Sequence, residues 1–371
     1  MCLSWPRSAL RGRFRRRVFA HYPVVLLALL SLAACATPYM APPGGEPSVP
    51  SLEETYFLTR DGRRLPLRMW LPQEMETAAP QTASPKVMPK AVIVALHGFN
   101  DYSSAFETTG TFLARRGIAT FAFDQRGFGA GPQTGLWAGV DAMANDVRDF
   151  TAALRQRYPE TPLFLLGESM GAAVVMTAMT GDAESSLAGA VDGAILLAPA
   201  VWAREIMTPF EVGLLWLAAH TLPAVTLTGR GLHIRASDNN AMLRALSADP
   251  LIIKETRVDT IYGLTNLMDA ALASSGEAMG VPVLILYGRR DEIIPLKPVR
   301  VLLERLPNGG GLDGGTEEIT LGVYDRGFHM LTRDLEGWRV LEDIAGWIAD
   351  RHASLFSGAQ THALERLTQD D

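Results

Sequence analysis

From residue 90 onward, short apolar runs alternate with longer amphipathic stretches. Ala91 to Leu96 contains no polar residue, and Ile118 to Phe123, Leu163 to Leu166, Ala194 to Leu197, Val281 to Leu286 and Glu318 to Tyr324 repeat the pattern. Runs of this length and composition are expected where a strand is covered on both faces. Between them, helical periodicity covers 102–116, with Ser103 or Ser104 near the start, and then 141–158, 299–306 and 337–349. In the last of these, Trp338, Leu341, Ile344 and Trp347 share one face. Strands alternating with helices predict an α/β architecture with a mostly parallel, doubly wound sheet. Ahead of this region, Thr55 to Thr59, a turn at Asp61-Gly62 and Leu65 to Leu71 predict a β-hairpin. Residues 73–89, with Pro80 and Pro85, predict a loop.

One segment breaks the alternation. Residues 201–278 are rich in apolar side chains, among them Trp202, Phe210, Leu214 and Trp216, but offer no convincing strand. Inserted between two core strands, they predict a mostly helical cap over the carboxyl edge of the sheet. Residues 308–315 predict a glycine-rich surface turn. The core is thus expected at 53–200 and 279–352, with a tail at 353–371.

The beginning of the chain differs from the rest. Arg7, Arg11, Arg13, Arg15, Arg16 and Arg17 precede an apolar stretch from Pro23 to Ala34, which is short for a bilayer span. Small residues follow, ending at Cys35, and residues 1–35 read as an export signal. Leu32-Ala33-Ala34-Cys35 resembles the bacterial lipobox, which implies lipidation at Cys35 and a lipid-anchored place in the cell envelope. Ala36 after the cysteine favours the periplasmic side of the outer membrane. Residues 36–52 carry five prolines and read as a semi-stiff tether that would hold the domain off the membrane. Cys2 and Cys35 are the only cysteines, so the exported body has no disulfide. Without the six arginines, 28 basic residues face 40 acidic ones, a net charge of −12. Such a body is a poor nucleic-acid binder, and any membrane attachment would come from lipid rather than a basic face.

The candidate chemistry begins at Gly167-Glu168-Ser169-Met170-Gly171, directly after an apolar run. A G-x-S-x-G turn between strand and helix lifts a serine hydroxyl out of the sheet. Serine needs a base, and the base needs an acid to orient it; in this arrangement the acid and then the histidine follow the serine in the chain. Of the downstream histidines, His220 and His233 fall in the cap, while His352 and His362 lie at or beyond the last helix. His329 follows a buried strand directly and is the candidate base. Asp291, at the end of Leu284 to Asp291, is the candidate acid; Glu292 is the neighbouring alternative, and Asp325 a local one. Backbone N–H groups of Met170 and of Phe99, in His97-Gly98-Phe99-Asn100, are candidates for an oxyanion hole, with His97 supporting the loop. Asp124 and Arg126 are expected to pair beneath the site. Gly127-Phe128-Gly129-Ala130-Gly131 lacks dinucleotide-loop spacing and reads as a tight turn, and no metal or nucleotide motif is present.

Together with Asp124 to Gly129, Asp249-Pro250-Leu251, Gly288 to Asp291 and Phe328-His329, these pieces resemble the α/β-hydrolase superfamily. More narrowly they resemble its monoacylglycerol lipase and lysophospholipase group, the serine aminopeptidase-like hydrolases. The resemblance spans roughly residues 55–350. It implies an α/β-hydrolase fold, a Ser169–His329–Asp291 triad and hydrolysis of apolar acyl esters without a cofactor. A peptidase of the same superfamily, with Glu205 or Glu211 holding a substrate amine, and a non-catalytic envelope lipoprotein are the competing readings.

Overall fold

A computed structural model describes residues 37–72, 88–180, 187–229, 231, 234–276, 279–306 and 319–368. The export signal, Cys35, His233 and the glycine-rich turn at 308–315 lie outside these residues.

Among the described residues the centre is a nine-stranded sheet which, with the strands numbered along the chain over the ranges given next, has the order β1-β2-β3-β5-β4-β6-β7-β10-β11. The strands of its parallel part are β4 (Ala91–Leu96), β5 (Ile118–Phe123), β6 (Leu163–Glu168), β7 (Gly193–Leu197), β10 (Val283–Gly288) and β11 (Ile319–Tyr324). An antiparallel ribbon of β1 (Ser51–Leu52), β2 (Tyr56–Leu58) and β3 (Arg64–Trp70) extends one edge, so the predicted hairpin is present. Side chains of each parallel strand alternate between two cores. Val92, Val94 and Leu96 of β4 enter one, and Ala91, Ile93 and Ala95 the other. The first core is closed by α2 (Val140–Arg157), α3 (Met170–Met179), α6 (Val258–Ser274) and α7 (Leu296–Arg305), the second by α1 (Glu107–Ala114) and α8 (Gly337–Ala349).

The elements fall close to expectation, with four differences. On α8 it is Val340, Leu341, Ile344 and Trp347 that are buried; Trp338 is exposed. Residues 258–274, assigned to the cap from sequence, form α6, which seats Leu267, Met268, Ala271 and Leu272 in the core beneath α3. The cap proper holds α4 (Pro209–Thr221), α5 (Asn240–Ala248) and a two-stranded pair, β8 (Thr226–Leu227) with β9 (Thr256–Arg257). The segment after residue 353 is not a trailing tail. Leu355 and Ala359 enter the second core, Val323 N–H donates to Ala359 O at 2.9 Å, and α9 (Ala363–Thr368) follows, so the exposed edge of β11 is covered.

The fourth difference concerns residues 36–52, expected to stand off as a tether and described from residue 37 onward. Their backbone is instead bound to the body. Ala41 N–H donates to Trp137 O at 2.7 Å, Gly44 N–H to Asp61 Oδ2 at 2.7 Å and Ser48 N–H to Arg60 O at 2.8 Å. The Arg63 guanidinium donates to the carbonyls of Pro42 and Pro43. Proline has no N–H to lose, so carbonyl acceptance suits such a segment.

Candidate active site

The candidate residues gather because each follows the carboxyl end of a parallel strand: the Gly98–Phe99 turn after β4, Ser169 after β6, Asp291 after β10 and His329 after β11. Ser169 has φ 55° and ψ −114°, a conformation L residues avoid. The turn closes because its flanks are glycines. A Cβ on Gly167 would lie 2.4 Å from the Ala172 backbone, and one on Gly171 2.0 Å from Leu96 O. The strain at Ser169 costs about 1–3 kcal/mol. Ser169→Gly should therefore raise stability by a net of about 1 kcal/mol, after glycine's own entropic cost of about 0.5–1 kcal/mol. A thermal melt checks this, and an unchanged or lower Tm contradicts it.

Asp291 and His329 meet. His329 Nδ1–H donates to Asp291 Oδ2 at 2.7 Å, and both side chains are buried. Asp291 Oδ1 accepts from the N–H groups of Ile293 and Ile294 at 2.8 and 2.9 Å, which fixes the carboxylate plane. With the proton on Nδ1, Nε2 is the nitrogen free to act as a base. The two alternative acids are engaged elsewhere. Glu292 accepts from Arg235 N–H, and Asp325 lies 3.8 Å from both Arg289 and Arg366. The N–H groups of Phe99 and Met170 donate to no backbone acceptor among the described residues. Gly98 packs the loop onto the serine, since a Cβ there would sit 3.4 Å from Ser169 Cβ.

His97 supports this loop, as its place in the sequence suggested. Its Nε2 accepts from Gln125 N–H at 2.9 Å, so its proton sits on Nδ1, facing Gly98 O at 2.9 Å. Complete burial lowers its pKa and keeps it neutral. Asp124 and Arg126 do not pair. Asp124 accepts from Ser103 and from Ala130 N–H, whereas Arg126 is clamped between Asp61 and Asp146. The Arg126 hydrogen bonds hold Asp61 far below its ordinary value. The reading of Gly127 to Gly131 as a turn agrees with φ of 82° at Gly127 and 59° at Gly129.

A residue without a sequence-based role joins the site's loops. Arg333, four positions after His329, is buried and donates to Asp101 Oδ2 at 2.7 Å and Glu168 Oε1 at 2.6 Å. Asp101 ends the Gly98–Phe99 loop and Glu168 precedes Ser169. One guanidinium thus bridges the elbow, the candidate oxyanion loop and the histidine loop. The only available signal was Glu168, a charge at the end of an apolar strand.

The cap is docked on the same loops. Met330 N–H donates to Ala236 O, Ser237 Oγ–H to Asp334 Oδ1 at 2.6 Å, and Ile253 N–H to Asn100 O at 3.1 Å. Burial is the main cause that pushes Asp334 up to about 6, with Asp238 adding to it. An acid whose folded pKa is raised binds a proton that the unfolded chain releases near pH 4, so this group's contribution to stability falls between about pH 4 and pH 6. Asp334→Asn should gain Tm relative to the parent as pH rises from 4 to 7. A Tm difference independent of pH contradicts this.

The serine aminopeptidase S33 family matches residues 87–336. The chain belongs to that family. It is 22% identical over 266 residues to the monoacylglycerol lipase of Mycolicibacterium smegmatis, covering 71% of this chain and 90% of that one. It is 26% identical to the monoglyceride lipase of Rattus norvegicus over 313 residues, covering 82% of this chain and 93% of the relative. Among solved structures, a soluble variant of the Saccharomyces cerevisiae monoglyceride lipase, in complex with a substrate analogue, superposes with a TM-score of 0.63. That match is 20% identical and covers 84% of this chain and 99% of the yeast protein. A Paleococcus ferrophilus monoacylglycerol lipase superposes at 0.59, at 20% identity over 76% of this chain and 98% of the other. The fold is that of the α/β-hydrolases, as the motifs implied.

Proposed function

We propose that this chain hydrolyses monoacylglycerol- or lysophospholipid-like esters through a covalent acyl-serine. At the coarser level, the chain is a carboxylic ester hydrolase, as its family and its monoglyceride lipase relatives indicate. The observation that carries the finer reading is the 2.7 Å bond between His329 Nδ1 and Asp291 Oδ2, on two loops that, like the strained Ser169, follow the carboxyl ends of parallel strands.

In this mechanism Ser169 Oγ attacks the ester carbonyl carbon while His329 Nε2 takes the hydroxyl proton. Asp291 holds the imidazole in the required tautomer and stabilises its positive charge. The N–H groups of Phe99 and Met170 donate to the oxyanion, and each such donor contributes about 10²–10³ in turnover. Collapse breaks the ester C–O bond, and the histidine returns the proton to the leaving alcohol. A water then repeats the sequence on the acyl-serine, releasing the acid and restoring Ser169.

The peptidase reading has lost its anchors for a substrate amine. Glu205 is paired with Arg305 at 2.6 Å, and Glu211 closes a capping box with Thr208 at the start of α4. The acyl preference is read from the apolar cap, and the envelope location from the lipobox at Cys35. The test compares esters of two to sixteen acyl carbons, monoacylglycerol and lysophospholipid with an aminoacyl amide. Ester turnover with a long-chain optimum supports the proposal. Turnover of the amide alone overturns it in favour of a peptidase, and a folded chain whose Ser169 does not label with a fluorophosphonate overturns catalysis.

A further inference from the structure

Asn100 follows the candidate oxyanion donor Phe99, and its φ of 64° lies in the left-handed region. Glycine adopts that conformation without strain, whereas asparagine only tolerates it. The turn alone therefore gives no reason for a side chain at this position. That side chain reaches across to the cap. Asn100 Nδ2–H donates to Thr256 Oγ1 at 2.7 Å, and Thr256 is buried. Thr256 lies on β9, which pairs with β8 and carries the chain from the cap into α6. The Asn100 carbonyl accepts from Ile253 N–H at 3.1 Å, so the same residue is tied to the end of the cap by backbone and by side chain. Tyr102 adds a tie nearby, its hydroxyl donating to Asp249 Oδ2 at 2.7 Å.

The body holds the same turn at its two ends. Gly98 O accepts from His97 Nδ1–H at 2.9 Å, and from Asp101 N–H at 3.2 Å, which closes the turn. Asp101 Oδ2 accepts from Arg333 at 2.7 Å. The Phe99 ring stands edge-on to Phe128, with centroids 5.7 Å apart. The body thus fixes Gly98 and Asp101, while the cap fixes Asn100 between them. Gly98 C=O and Phe99 N–H belong to one rigid peptide plane, so any twist of this turn re-aims the donor. Asn100 Oδ1 is buried and finds no partner among the described residues, so the amide does not belong to a wider stabilising network.

We infer that Asn100 is a positioning residue: pinned to Thr256, it makes the seat of the cap set the aim of the Phe99 N–H. This rests on the acyl-serine reading above, in which that N–H donates to the oxyanion. A backbone donor stabilises developing charge only when it already points at the place the oxygen will take. The Thr256 hydroxyl supplies that aim from outside the loop, through one side-chain bond. Neither residue touches the reacting atoms in this arrangement. Their effect therefore falls on the transition state and leaves ground-state binding of the ester alone.

The test compares Asn100→Gly, Thr256→Val and Thr256→Ser with the parent, all as the full chain and on one soluble ester. It reads kcat and KM separately, the Ki of an alkyl trifluoromethyl ketone, Tm, and amide hydrogen exchange across residues 97–102. Glycine suits the φ of 64° and valine keeps the branched shape of threonine, so both variants should fold. Asn100→Gly and Thr256→Val should each lower kcat about tenfold with KM within about twofold of the parent. The ketone's Ki should rise by the same factor, because its hemiketal oxygen occupies the oxyanion position. Exchange across the turn should quicken about tenfold. Thr256→Ser keeps the hydroxyl and should return kcat to within about threefold of the parent. The Asn100→Gly, Thr256→Val double variant should fall no further than the worse single one, since both remove one contact. Parental kcat in Thr256→Val overturns the inference. A rise in KM with kcat and Ki unchanged makes Asn100 a substrate contact and overturns it too. A loss of kcat that follows Tm, and that Thr256→Ser does not restore, overturns it in favour of a structural role. A parent that neither turns over the ester nor binds the ketone fails the acyl-serine reading itself, and the oxyanion role falls with it.

Discussion

Ser169→Ala is expected to lower kcat/KM on the preferred ester by about 10⁶, with secondary structure and thermal unfolding close to those of the parent. The size follows from the cooperative use of the site. In the proposed mechanism, loss of the hydroxyl leaves no nucleophile for His329 to activate and nothing for the Asp291–His329 pair to orient. The residual rate over water, about 10³–10⁴, would come from the proposed oxyanion donors and from binding. The fold should survive because the Ser169 backbone carries the structural role: its N–H donates to Leu197 O, and its carbonyl accepts from Ala172, Ala173 and Ala200. Single-turnover kinetics with circular dichroism on the same samples test this. A variant retaining more than about a hundredth of parental turnover would place the nucleophile elsewhere. His329→Ala should fall to a similar level, and Ser169→Ala combined with His329→Ala no further, since groups acting as one unit are not additive.

What could be read from the chain depended on whether its cause was local. β4 and β5 are legible because six consecutive largely apolar residues admit few other structures, and both appear with the expected bounds. The elbow is legible because G-x-S-x-G is a local motif, and the Ala172 backbone that demands Gly167 lies five residues on, although Gly171 is demanded by Leu96 O, 75 positions before it. Helix α6 was assigned to the cap because sequence shows that a face is apolar but not what covers it; here it is covered by α3. Arg126 was paired with its neighbour Asp124, yet its partners lie 65 positions before it and 20 after it. Long-range ion pairs leave no periodic trace, and the docking of residues 38–52 through Pro42 and Pro43 carbonyls leaves none either.

Arg333 shows the same limit most clearly, and it carries the second large prediction. In sequence it is one arginine in a short turn after His329. In the fold its side chain, like those of Asp101 and Glu168, is buried. The cluster is not an efficient source of stability. Two carboxylates share one guanidinium, and Arg333 Nε and Glu168 Oε2 find no partner among the described residues. Desolvation of such a group consumes most of the Coulombic gain, so its use is better sought in position than in net stabilisation. Removing the cation is nevertheless costly, because it leaves two buried charges unpaired. Arg333→Met should destabilise the protein by about 3–5 kcal/mol. Arg333→Lys should recover part of that loss, but a single ammonium cannot reproduce the two divergent bonds of the guanidinium. If the arginine holds the elbow, oxyanion loop and histidine loop in register, the lysine variant should lose kcat rather than gain KM, by about tenfold to a hundredfold, as sub-ångström misplacement does in oriented sites. A double-mutant cycle of Arg333→Lys with Glu168→Gln should return a coupling of at least about 1 kcal/mol in both stability and kcat. Coupling in stability alone would make the cluster a packing feature and remove it from the site.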